Sequence, residues 1–279
     1  MKESKQRGHL RMASFYWGVM FVAVVAVGIL FSFFLSSRQK LRMCGIQLLQ
    51  AMRMLIKHLQ VHRGLMATYL VGDKNIKENL IFHADSVVRD IKGIVNIDEN
   101  FTKNDDWRAI TEHWARLSSS NGEEELYDNY EQHSKLIISS LDLMIWISKE
   151  YNVDAQLVGR NRVYWYELLC LGEKLGQLRA LGTIFLTSSS DVGKKRKSLD
   201  KIKNLLKDIE DVFKNKALQQ KIGGSSCDEI NMFLASVEHY MFSEKSWLTG
   251  EQYFARATEI IEIVYQCFDE EMQVLIHSY

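Results

Sequence analysis

Two arginines carry the clearest chemical signal in this chain. Met52, Ile56, Leu59, Arg63, Met66 and Leu70 follow a 4-3-4-3-4 spacing, so they share one face of a helix on which Arg63 interrupts an apolar stripe. Leu168, Leu175, Arg179, Gly182 and Leu186 form a second such face, interrupted by Arg179. A guanidinium stays charged and carries five N–H donors, so its burial demands an anionic or well-bonded partner. Gly64, Ala67, Ala180 and Gly182 are small and let a backbone or a small ligand approach each arginine. A helix-interior glycine costs about 1 kcal/mol against alanine, which a close approach would explain. The residues themselves leave two readings: a small anion between the arginines, or arginines that pair with core carboxylates or reach out to solvent.

The two arginine segments also resemble each other. Residues 59–70 align without a gap on residues 175–186, matching Leu59/Leu175, Arg63/Arg179, Gly64/Ala180, Leu65/Leu181, Tyr69/Phe185 and Leu70/Leu186. The offset of 116 residues suits two related helical bundles in tandem.

Other candidates are weaker. His58 and His62 stand i, i+4 on one helix face, but no H-E-x-x-H and no third ligand accompany them, so no metal site is expected. Glu123, Glu124 and Glu125 read as a solvated helix start rather than a catalytic group. Lys194, Lys195, Arg196, Lys197, Lys201, Lys203 and Lys207 suit either a solvated amphipathic helix or contact with anionic lipid or an acidic partner. No phosphate-binding glycine loop or nucleophile elbow occurs, so neither an enzyme nor a cofactor is expected.

The elements that position these residues are helical. Proline is absent from all 279 residues, which permits long uninterrupted helices and argues against a sandwich or barrel of tight turns. Hydrophobic residues make up 47% and charged residues 25%, which excludes a disordered chain. The formal net charge of +0 gives no general attraction to nucleic acid. The four cysteines are scattered, without a disulfide framework. Helices are expected over residues 38–71, 75–95, a segment holding Trp107, Ile110 and Trp114 capped by Asp106, 124–151, onward to 186, and a basic helix to 222. Two more follow, split near Ser246. The fold class is all-α, an N-terminal transmembrane helix followed by a pair of up-down bundles.

Residues 12–37 contain 26 positions without a charge, more than the ~20 a bilayer-crossing helix needs. The apolar stretch is too long for a signal-peptide core, and no A-x-A site follows, which marks an uncleaved anchor. Residues 1–11 carry Lys2, Lys5, Arg7 and Arg11 against Glu3 and are expected in the cytoplasm. Residues 38–279 then form an extracytoplasmic domain of a single-pass inner-membrane protein. No second span or output module appears before Tyr279, so a signal is expected to pass through a partner.

Three blocks resemble the nitrate- and nitrite-sensing (NIT) domain family, in the family's order. Gln60, Arg63, Gly64 and Tyr69 resemble its first helix. YWYELLCLGEKLGQLRALGTIFL resembles its second signature, with Glu173, Gly176, Arg179 and Ala180 matching. SWLTGEQYFARATEIIEIVYQCF is similar to its closing helix. The resemblance implies a pair of helical bundles that bind nitrate or nitrite between arginines, as the input part of a receptor or regulator. By motif it makes Arg63 and Arg179 anion ligands, with His62 and Arg256 as further candidates. His62 departs from the family, where many members carry an acidic residue. A homodimer through the long first helix is also expected.

Overall fold

Every described element of the computed structural model is a helix, as the proline-free sequence permits. It describes residues 2–120, 125–153, 164–188, 191–242 and 249–277. Nine α-helices and one 3-10 helix lie among these residues, and no strand. They are α1 (Lys2–Val71), α2 (Lys77–Ile97), α3 (Asp105–Ser119), α4 (Leu126–Glu150), α5 (Trp165–Thr187), α6 (Val192–Phe213), α7 (Lys216–Ile222), α8 (Gly224–Phe242) and α9 (Gly250–His277). Residues 123–124, 189–190 and 246–248, which entered the readings of helix starts and of the closing block, lie outside the described residues.

The chain divides into two units, Met1–Met43 and Cys44–Tyr279. In the first unit, residues such as Val24, Val27, Leu30, Phe31, Phe33 and Phe34 are exposed and apolar. Among the described residues, α1 is the one helix long and apolar enough to cross a membrane.

The second unit is built around the later part of α1 and around α5. On one side α3 packs on α4, and α4 on α5. On the other, α5 packs most extensively against α9 and α6, while α7 contacts α8 and α9. The two groups of helices share one core. Burying the Met52, Ile56 and Leu59 stripe of α1, together with Leu168, Leu175 and Leu178 of α5, supplies its centre. Apolar burial at roughly 25 cal/mol per Å² is the driving term.

Local chemistry sets the helix ends. Gly72, at a φ of 129°, adopts a conformation L side chains avoid and ends α1. The N-cap of α3 is Asn104, whose side chain accepts from the Trp107 N–H at 2.9 Å, two residues before the expected Asp106. The 3-10 helix Glu99–Lys103 fills the preceding polar stretch, with its own N-cap at Asp98. Asp191 caps α6 by accepting from Lys194 N–H at 2.9 Å. The expected single basic helix to residue 222 is instead two, because the Asn215 side chain accepts from the N–H groups of Ala217 and Leu218 and starts α7.

Candidate functional site

Arg63 and Arg179 are both buried in the core, at 0% and 1% exposure. Their surroundings differ. Arg63 forms an end-on fork with Glu173: Nη1 donates to Oε1 at 2.6 Å and Nη2 to Oε2 at 3.2 Å. Nη1 also donates to Ser134 Oγ at 3.0 Å, and the guanidinium lies over the Tyr130 ring at 5.6 Å. Gln60 Nε2 donates to Glu173 Oε2 at 2.8 Å, and Gln177 Nε2 to Oε1 at 2.8 Å. The Tyr265 hydroxyl closes the network by donating to Gln60 Oε1 at 2.6 Å. Burial works to lower the Arg63 pKa, but the charge and hydrogen bond of Glu173, together with the Tyr130 and Tyr265 hydroxyls, outweigh it, so the pKa is raised.

The helix-interior glycines allow this network. A Cβ on Gly176 would stand 3.0 Å from both Arg63 Nη2 and Gln60 Cδ, so the missing side chain lets α1 reach Glu173 one turn away.

Among the described residues Arg179 pairs with no carboxylate. Its Nη1 donates to Thr258 Oγ1 at 2.8 Å, and its guanidinium lies over the Phe254 ring at 4.6 Å. Its Nε and Nη2, both buried, have no acceptor among the described residues. These two N–H groups lie on one edge of the guanidinium plane and point the same way, which is the side-on fork that receives planar oxyanions. Burial and the Arg63 charge together push the Arg179 pKa down to about 10. That value keeps it a cation at pH 7. The Nε of Arg63 and the Nδ1 of His83 on α2 are also buried without a partner among the described residues. Burial lowers the His83 pKa, with the charges of His58, Arg179 and Lys57 adding to it.

The small residues near the arginines are filled from α9. A Cβ on Gly64 would meet Phe254 Cε2 at 2.6 Å, and one on Gly182 would meet the Tyr253 ring at 2.3 Å. The space beside Gly64 and Gly182 thus holds two aromatic rings, one of which carries Arg179 on its face.

The other two residues expected at the site are not brought to it. His62 turns toward α3 and α4, edge-on to Trp114 and with its Nδ1 2.8 Å from His133 Nε2. His133 Nδ1 lies 2.9 Å from the Asn129 carbonyl, which can only accept, so Nδ1 carries the proton. Neutral His133 Nε2 then accepts from His62 Nδ1–H, and His62 presents only a lone pair at Nε2, which repels an anion. Burial and the charge of His83 push the His62 pKa down to about 4, and burial and the charge of His62 hold His133 well below the usual imidazole range. Arg256 lies on the exposed face of α9, with its side chain 44% exposed, and pairs with Glu259 at 2.7 Å.

Glu173, Thr258 and Phe254 are the contacts that sequence reasoning did not assign. Phe254 and Thr258 do share a helix face at i, i+4, which is a signal for a common contact. The partnership of Arg63 with Glu173 spans 110 positions and leaves no local pattern. Among the described residues no group of three or more metal-ligating side chains converges. A surface groove of about 330 Å³ between α4, α5 and α6 has Tyr130, Ser134 and Gln177 in its wall, three of the residues that touch the Arg63–Glu173 pair.

Fold and site define an all-α protein with a membrane-length apolar helix and a partly compensated cationic core. No protein-family model matches the chain, and no curated protein matches it. A solved structure that resembles it is that of the NasR transcription antiterminator, at 15% identity, with a TM-score of 0.65 over 87% of this chain and 70% of that chain. At this identity the likeness concerns the fold alone.

Proposed function

We propose that the chain is a membrane-anchored sensor or binding module for nitrate, nitrite or a similar small oxyanion, and that it signals through a partner rather than by catalysis. The observation that carries this reading is the Arg179 edge, a buried cation with two parallel donors and no acceptor. Burying an uncompensated charge is costly, and an anion against that edge relieves the cost. The order of the NIT-like blocks supports the same ligand, and the fold likeness to a transcription antiterminator suits a regulatory role. Arg63 contributes its charge to the site. The span at residues 12–37 anchors the module in the inner membrane, with residues 1–11 in the cytoplasm and the helical domain outside, as a symmetric dimer.

The Arg63–Glu173 fork favours one competing reading, a helical scaffold whose arginine needs are met internally. Thermal melts of the full chain in detergent, with nitrate, nitrite, chloride or sulfate at constant ionic strength, separate the two. An anion at one hundred times its Kd should add about 2.7 kcal/mol. Nitrate or nitrite should raise the melting temperature beyond chloride, Arg179→Ala should abolish that rise, and Arg256→Ala should leave it unchanged. Equal melts in all four salts would favour the scaffold.

A further inference from the structure

We infer that Glu173 sets the valence of the anion the core accepts, so that the site takes planar anions of single charge and refuses doubly charged ones. This rests on the anion-site reading above and adds a selectivity that the arginines alone do not supply.

The charges facing the site can be counted. Arg63 and Arg179 bring two positive charges and Glu173 one negative, all at 3% exposure or less. Lys57 pairs with Glu262 at 2.7 Å and Arg53 with Asp269 at 2.5 Å, so each of these bordering pairs is neutral. Four hydrogen bonds, two from Arg63 and one each from Gln60 and Gln177, hold the Glu173 carboxylate in place. One positive charge is left over. In a medium of low dielectric a monoanion cancels it, whereas a dianion leaves a buried negative charge of its own.

Donor geometry points the same way. The Nε–Nη2 edge of Arg179 offers two coplanar N–H groups, enough for two oxygens of a planar ion. Neighbouring hydroxyls already donate elsewhere: Thr258 to the Phe254 carbonyl at 2.8 Å, Tyr253 to the Leu178 carbonyl at 2.9 Å, and Tyr265 to Gln60. With four oxygens against nitrate's three, sulfate leaves more of them unpaired against this edge.

Calorimetric titration of the full chain in detergent, with nitrate or sulfate at constant ionic strength and pH 7, tests the inference. Wild type should bind sulfate at least about tenfold more weakly than nitrate. Glu173→Gln, which keeps the shape and removes the charge, should raise sulfate affinity at least about tenfold, and Glu173→Asp should restore the nitrate-over-sulfate order. Should Glu173→Gln not fold, the order in wild type and Glu173→Asp decides. Equal binding of the two anions by wild type, or a Glu173→Gln protein that still excludes sulfate, overturns the valence role while leaving the anion site standing. Absence of any anion binding by wild type removes the site and the valence role together.

Discussion

Arg63 and Arg179 occupy matching places in similar helical segments, yet one is neutralised by the protein and the other is not. Arg63 meets Glu173 through a two-bond fork, with Ser134 and Tyr130 beside it. Arg179 meets a hydroxyl and an aromatic face, and keeps two donors without an acceptor. The same residue type thus stands in two environments: Arg63 ties α1 to α4 and α5, and Arg179 remains a buried charge that no carboxylate among the described residues pairs with.

The largest expected effect breaks the neutralised side. Glu173→Ala strands the Arg63 charge and removes the acceptor of Gln60 and Gln177, so it should cost about 3–5 kcal/mol in denaturant melts. A loss below about 1 kcal/mol would show that the fork contributes little.

Acid attacks the same side through His62 and His133. The unfolded chain takes up protons as pH falls through about 6.5, while folded His62 resists until about 4. The folded pKa is depressed, so stability is complete above pH 6.5 and is lost on descent toward pH 4, by about 3 kcal/mol from His62 alone. Melting temperatures measured across that window should fall steeply, and His62→Gln should flatten the slope.

A medium effect joins the two regions. Gly64→Ala places a Cβ against Phe254, the ring that carries Arg179, at 2.6 Å. Overpacking of this kind costs about 1–3 kcal/mol, and the displaced ring should also weaken the nitrate-dependent rise in melting temperature. An unchanged nitrate response would detach Phe254 from the site.

The smallest effect is the sharpest contrast with Glu173. Without added oxyanion, Arg179→Met removes an uncompensated buried cation and should change stability by less than about 1 kcal/mol, in either direction. A loss as large as that of Glu173→Ala would mean that Arg179 is a structural residue like its counterpart.

Much of this was legible in the sequence, and the legible part has a common physical origin. Helices and buried arginines follow from local spacing: Arg63 and Arg179 each interrupt an apolar stripe, and α1, α2, α4 and α5 follow their periodicity. The asymmetry between the arginines was not legible, because Glu173 reaches Arg63 across a gap left by Gly176 on a different helix. Helix caps failed by small margins where side chains compete. Asn104 outbids Asp106 for the start of α3, and Asn215 splits the basic helix. His62 was placed beside the ligand by its position next to Arg63, whereas 100° of helical rotation turns it to His133 and Trp114. Arg256 matched a motif position but lies on the solvent side of α9.

Structure determination of the full chain with nitrate tests the division of labour most directly. The expected result is a nitrate ion against the Nε and Nη2 edge of Arg179, with the Arg63–Glu173 fork intact. A nitrate ion seated on Arg63 in place of Glu173, or found only at the surface near Arg256, would contradict it.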